Sequence, residues 1–132
     1  MYDKNKKLIA LSSSNVQAGF PSPADDFMES ELNLHDYLVH NSKSTFMVRV
    51  SGESMIGAGI LAGDILIVDR SAQYKNNSII IAVLDGDLTV KRLVKSHSSW
   101  RLQAESNRPY FIPVTDNSLE VWGVVTGVVR KL

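Results

Sequence analysis

Two residues of this chain stand in settings suited to covalent chemistry. Ser54 lies in VSGESMIGAG, residues 50–59, a glycine-flanked stretch between the apolar runs TFMVRV and DILIVDR. Lys91 lies in LTVKRLV, a strand-like run further on. A serine hydroxyl is a weak nucleophile until a base within hydrogen-bond reach takes its proton. A lysine is such a base only when neutral. Its ordinary pKa is near 10.4, so neutrality at pH 7 needs a depression of about three units, or roughly 4–5 kcal/mol of environment. Burial against apolar neighbours supplies this, because a low dielectric disfavours the ammonium form. By the two-residue period of a strand, Lys91 shares a face with Thr89 and Leu93. The strand pattern leaves two readings open: an exposed lysine on a solvent face, or a partly buried one able to serve Ser54.

Histidine is the commoner partner of a serine, and the chain has His35, His40 and His97. None has a recognisable catalytic context. His35 and His40 fall within or just after a short amphipathic helix pattern, and His97 is in the polar turn SHSS. A Ser-Lys pair is a known alternative to the Ser-His-Asp arrangement. Gly52, Gly57 and Gly59 match no phosphate-cradling pattern and read as conformational joints. Met55 reads as a core anchor beneath the turn. Glu53 reads as exposed, since a carboxylate buried against Lys91 would restore the lysine's charge. If a helical turn begins here, the backbone amides of Ser54 and Met55 are the candidate donors to an oxyanion.

The elements that must position these residues are mostly strands. TFMVRV, DILIVDR, SIIIAVL, DLTVKRLV, SWRLQA and LEVWGVVTGVV are rich in β-branched, aliphatic and aromatic residues. Asp85-Gly86 between two of them is a hairpin signal, because glycine accepts the positive φ of a tight turn. Six strands without intervening helices predict a mainly β, largely antiparallel domain. One short helix is expected in LNLHDYLVHN. Asn33 is placed as its cap, Asp36 completes the capping box, and Leu32 and Tyr37 are spaced for a hydrophobic staple. Leu34 and Leu38 would form its apolar face. Residues 1–31 read as an extended arm, with Pro21 and Pro23 opposing regular structure, and residues 32–132 as the β-rich domain. The C-terminal run LEVWGVVTGVVRKL carries few charges, and is read as an unprotected edge that would pair two copies into a homodimer.

Composition narrows the classes. The chain has 132 residues, 44% of them hydrophobic, enough for one domain with a core and an arm. Lys+Arg and Asp+Glu number 14 each, and this zero net charge disfavours a free-standing DNA binder. The absence of cysteine removes disulfides, thiol catalysis and Cys-ligated metals, and fits a reducing cytoplasm. The first residues carry lysines before an apolar run, LIAL, that is too short for a secretory signal. No run approaches the ~18 apolar residues of a membrane span.

SGESM, followed by GDILIVDR and then TVKRL, resembles the LexA-like self-cleaving serine peptidases. The resemblance covers about residues 16–130. It implies Ser54 as nucleophile, Lys91 as base, and no metal or cofactor. It also implies a substrate within the chain itself. Ala18-Gly19 in VQAGFPSPADD matches the small residue followed by glycine that this family cuts, and AGFPSPA is similar to the UmuD type in particular. Only 18 residues precede Gly19, too few for a repressor's winged-helix domain. The UmuD resemblance implies cleavage stimulated by a RecA filament on single-stranded DNA. It further implies a trimmed homodimer that joins a Y-family, UmuC-like polymerase subunit for translesion synthesis in the SOS response. Sequence-specific DNA binding and membrane attachment are not implied. Other readings are a signal-peptidase-like enzyme, which the missing membrane anchor disfavours, a detached dimerisation domain of a phage-type repressor, and a non-cleaving polymerase-accessory module.

Overall fold

A computed structural model describes residues 7–13, 15–19, 29–114 and 119–132. The expectations placed on Pro21 and Pro23 lie outside the described residues. The chain divides into two compact units, Met1–Leu38 and Val39–Leu132.

In the first unit, β1 (Ile9–Ser12) pairs antiparallel with β2 (Glu29–Leu32). Neither strand was legible as such, because both are four residues long and β1 is exposed throughout. The short helix α1 (Leu34–Leu38) follows. Asn33 caps it as expected: its Oδ1 accepts the Asp36 amide at 3.0 Å. Leu34 and Tyr37 stay largely exposed, so the apolar face and the staple contribute little burial. Among the described residues of this unit, a five-residue helix and a two-stranded ribbon supply no second layer.

The second unit is one sheet of seven strands in the order β3-β4-β9-β5-β6-β7-β8, with every pairing antiparallel. The strands are β3 (Thr45–Arg49), β4 (Ile65–Asp69), β5 (Ile79–Leu84), β6 (Asp87–Ser96), β7 (Ser99–Ala104), β8 (Tyr110–Pro113) and β9 (Glu120–Val129). All six strand runs read from the sequence form strands. Asp85 (φ 51°) and Gly86 (φ 84°) turn β5 into β6, the conformation that the Asp-Gly pair announces. The unforeseen β8 is short, ends in Pro113 and sits at an edge, where a missing backbone donor costs little.

One expectation is corrected. The C-terminal run is not an edge, because β9 lies between β4 and β5, pairing β5 along Glu120–Val124 and β4 along Val124–Val129. The edges are β3 and β8. Few charges on β9 reflect an inner position, which buries both neighbours' flanks, and not an open pairing surface.

Two apolar clusters form the core. Met55, Ile60, Leu66, Val68 and Ile81 make one; Ile80, Ala82, Leu93, Leu102 and Val124 make the other. Alternation along β5 separates Ile81 from Ile80 and Ala82, as a two-residue period requires. Each fully buried aliphatic side chain contributes roughly 1.5–3 kcal/mol.

Two buried carboxylates also belong to this unit. The Arg130 guanidinium and the Leu61 amide, both bonded to Asp64, hold its carboxyl down at about 2, from an ordinary 3.8. The Ser71 hydroxyl and amide and the Ser44 hydroxyl likewise lower Asp69. A depressed carboxyl pKa adds stability that is fully present above the ordinary value and is lost as pH falls toward the folded one. Stability should therefore drop between about pH 4 and pH 2. Asp64→Asn should be less stable than wild type at pH 7, and the gap should narrow as pH approaches 2. Denaturant midpoints across that range measure both.

Candidate active site

Ser54 is carried by the loop that joins β3 to β4. The residue after it, Met55, is 1% exposed and plugs the first core cluster. A short 3₁₀ turn, Ile56–Ala58, follows directly. The Ile60 amide donates back to the Met55 carbonyl at 3.2 Å, which closes the turn. Met55 is thus the anchor its position suggested, and it fixes the backbone from which Ser54 projects. Glu53 is exposed, as expected.

Lys91 comes from β6. It lies in register opposite Ile80 and two residues before Leu93, both fully buried. Only 4% of Lys91 is exposed, which settles the choice between a solvent-facing and a buried lysine. Its Nζ lies 3.1 Å from Ser54 Oγ, 2.8 Å from Thr89 Oγ1 and 3.1 Å from the Val90 carbonyl oxygen. Among the described residues no carboxylate bonds it. Desolvation lowers its pKa from the ordinary 10.5.

The partners decide what each protonation state does. As an ammonium, Nζ donates to all three oxygens, and Ser54 Oγ is an acceptor. As a neutral amine it has two N–H groups, which Thr89 Oγ1 and the Val90 carbonyl can take. The lone pair then faces Ser54, whose hydroxyl donates to it. Thr89 was placed on the Lys91 face by the strand period, but its role as an orienting acceptor was not anticipated.

Beside the pair is a cavity of about 200 Å³, lined by Ser54 and mostly by apolar side chains, among them Val48, Val50, Leu66, Ile81, Leu88 and Val90. An extended segment with small or aliphatic side chains suits such walls. Among the described residues, no acceptor engages the Ser54 or Met55 amide. His40 and His97 are exposed, and Ser54 Oγ bonds Lys91 and no histidine. Ala18 and Gly19 belong to the other unit. Both are exposed, and a Cβ built on Gly19 would meet nothing within 4 Å.

The profile of the Peptidase S24-like family matches residues 10–126. Protein ImpA of Salmonella typhimurium is 41% identical over 121 residues, covering 92% of this chain and 83% of ImpA. Protein MucA of Escherichia coli is 42% identical over 112 residues, covering 84% and 77%. Protein SamA of Salmonella typhimurium is 37% identical over 121 residues, covering 92% and 84%.

Burying Lys91 costs stability at neutral pH, because folding must strip its proton or desolvate its charge. A base whose folded pKa is depressed lets stability rise with pH toward its unfolded value. Lys91→Met, of similar length and apolar, should therefore raise the unfolding midpoint at pH 7. The gain should shrink as pH approaches 10.5. A thermal midpoint series from pH 6 to 10 checks both the sign and the trend.

Proposed function

The chain belongs to the Peptidase S24-like family as a UmuD-type member, and from that premise we propose that it is a self-cleaving serine peptidase whose substrate is its own N-terminal arm. Residues 1–31 are the arm and residues 32–132 the peptidase and dimerisation domain. The observation that carries the reading is the 3.1 Å approach of a buried lysine amine to a serine hydroxyl.

Neutral Lys91 takes the Ser54 hydroxyl proton as Oγ attacks the carbonyl carbon of Ala18. The backbone amides of Ser54 and Met55 stabilise the resulting oxyanion. The tetrahedral species collapses, the Ala18–Gly19 bond breaks, and Lys91 passes its proton to the leaving Gly19 amine. Water then attacks the acyl-serine and gives a proton to Lys91. Ser54 leaves with that proton, and residues 1–18 depart with a free carboxylate. No metal or cofactor takes part. The apolar cavity receives the extended arm, and the small side chains of Ala18 and Gly19 allow close approach of the backbone.

A peptidase that cuts its own chain needs restraint. A partner that binds the cleavage-competent arrangement raises its population. In this reading the partner is a RecA filament on single-stranded DNA. The trimmed product is a cytoplasmic homodimer that serves a Y-family, UmuC-like polymerase in translesion synthesis during the SOS response. Exposed Val128 and Val129 on β9 support an association surface there, in place of the open edge first expected.

Spontaneous cleavage tests the chemistry without a partner. Between pH 7 and 10 the rate should rise about tenfold per unit until Lys91 is titrated, with a single product beginning at Gly19 by intact mass. Ser54→Ala and Lys91→Arg should be inactive, the latter because a guanidinium stays protonated. A rate that levels off at pH 7–8 would indicate a histidine base. A cut elsewhere would remove Ala18–Gly19 from the account.

A further inference from the structure

The loop that carries Ser54 runs from Ser51 to Gly63, between β3 and β4. Its base is closed by the Val50 amide to the Asp64 carbonyl and the Gly63 amide to the Val50 carbonyl, both 2.8 Å. Within the loop, Gly59 adopts φ +82° and caps the 3₁₀ turn. A loop of this length needs support from outside itself to hold one conformation. On one side the Gly57 amide donates to the Glu105 carbonyl at 2.6 Å.

On the other side stands an ion pair between a buried carboxylate and a more exposed guanidinium. Arg130, just past the end of β9, donates from Nε to Asp64 Oδ1 at 2.7 Å and from Nη2 to Asp64 Oδ2 at 2.6 Å. The same Nη2 donates to the Gly59 carbonyl at 2.8 Å. Asp64, only 2% exposed, also accepts the Leu61 amide at 2.7 Å. One guanidinium and one carboxylate therefore grip the loop at Gly59 and Leu61. Through the Met55–Ile60 bond the grip reaches the residue beside Ser54.

We propose that Asp64 and Arg130 form a latch that sets the position of Ser54 Oγ against Lys91, which makes them positioning residues for the self-cleavage reaction. The proposal rests on the Ser54/Lys91 reading. The depressed Asp64 carboxyl means that the pair adds stability, and its geometry adds something further. What a bidentate pair provides is fixed orientation. Orientation matters here, since a misplacement of about 1 Å costs roughly a hundredfold in rate. The latch also ties the C-terminal end of β9 to the nucleophile loop, a connection that spans 66 residues of sequence.

A cavity of about 560 Å³ opens beside the pair, lined by Leu61, Gly63, Val129, Arg130 and the cations Arg49 and Lys131. It gives a small ion access to the space that Arg130 would vacate. This makes chemical rescue the test. Full-length wild type, Arg130→Ala and Arg130→Lys are compared for spontaneous cleavage across alkaline pH by intact mass. Each is run with and without guanidinium chloride, well below unfolding concentrations. Arg130→Ala should lower the plateau rate tenfold to a hundredfold. The pH at which the rate levels off should not move, because Ile80 and Leu93, which desolvate Lys91, are untouched. Guanidinium should restore cleavage in Arg130→Ala and leave wild type unchanged. Arg130→Lys should remain slow, since an ammonium cannot span both Asp64 oxygens and the Gly59 carbonyl. A wild-type rate in either variant overturns the latch, as does a loss in Arg130→Ala that guanidinium leaves unchanged. If Arg130→Ala does not fold, Arg130→Lys decides alone.

Amide hydrogen exchange in a Ser54→Ala background separates this proposal from the peptidase reading. There Arg130→Ala should speed exchange at Ile60 and Leu61 at least tenfold and leave Ile80 and Leu93 unchanged. Unchanged Ile60 and Leu61 overturn the latch. Intact Ser54 chains that never cleave, with exchange behaving as stated, leave the latch standing and remove the reaction it was assigned to.

Discussion

An amine without water around it is the constraint on which the rest of this structure depends. Lys91 has Ile80 across the strand pair and Leu93 on its own face, and both are fully buried. A charged lysine in such a place is unfavourable, so its pKa falls. Desolvation alone would leave an amine of arbitrary orientation. Thr89 Oγ1 and the Val90 carbonyl give its two N–H groups somewhere to go and leave the lone pair for Ser54. Among the described residues no carboxylate bonds the amine, and this is as important, because one would restore the charge. The fold accepts a stability cost at this point, as functional sites commonly do.

The other half of the pair is built differently. Ser54 stands on a loop, and loops hold catalytic groups well only when something rigid supports them. Three supports are visible: Met55 sunk into the core, the Glu105 carbonyl under Gly57, and Arg130 with Asp64 at the loop's far side. They come from three separate stretches of chain, so sheet order is what gathers them. β9 lies beside β4, which begins just after the loop, and this brings Arg130 to Asp64. An inner β9 is thus a requirement of the site and not only of the core.

Much of this was legible in the sequence because it depends on local chemistry. The six longer strands show in their β-branched runs, the β5–β6 turn in Asp85-Gly86, and the α1 cap in Asn33. Ser54 and Lys91 were legible because each is an odd residue in its setting, and the motifs around them are specific as a pair. What escaped depends on long-range pairing or on short elements. The position of β9 is set by which strands accept it on each side, and its lack of charge fits an inner strand as well as an open edge. Strands of four residues, such as β1, β2 and β8, are too short for alternation to register. The Asp64–Arg130 pair has no local signature, since neither residue is unusual among its sequence neighbours.

The central claim is that Lys91 is a depressed amine facing Ser54. The most direct measurement is an NMR titration of the Lys91 side chain, with the Cε and Nζ nuclei labelled, in a Ser54→Ala chain that stays intact at high pH. The account predicts a midpoint clearly below the ordinary 10.5. A Lys91 midpoint at or above 10.5 would contradict it.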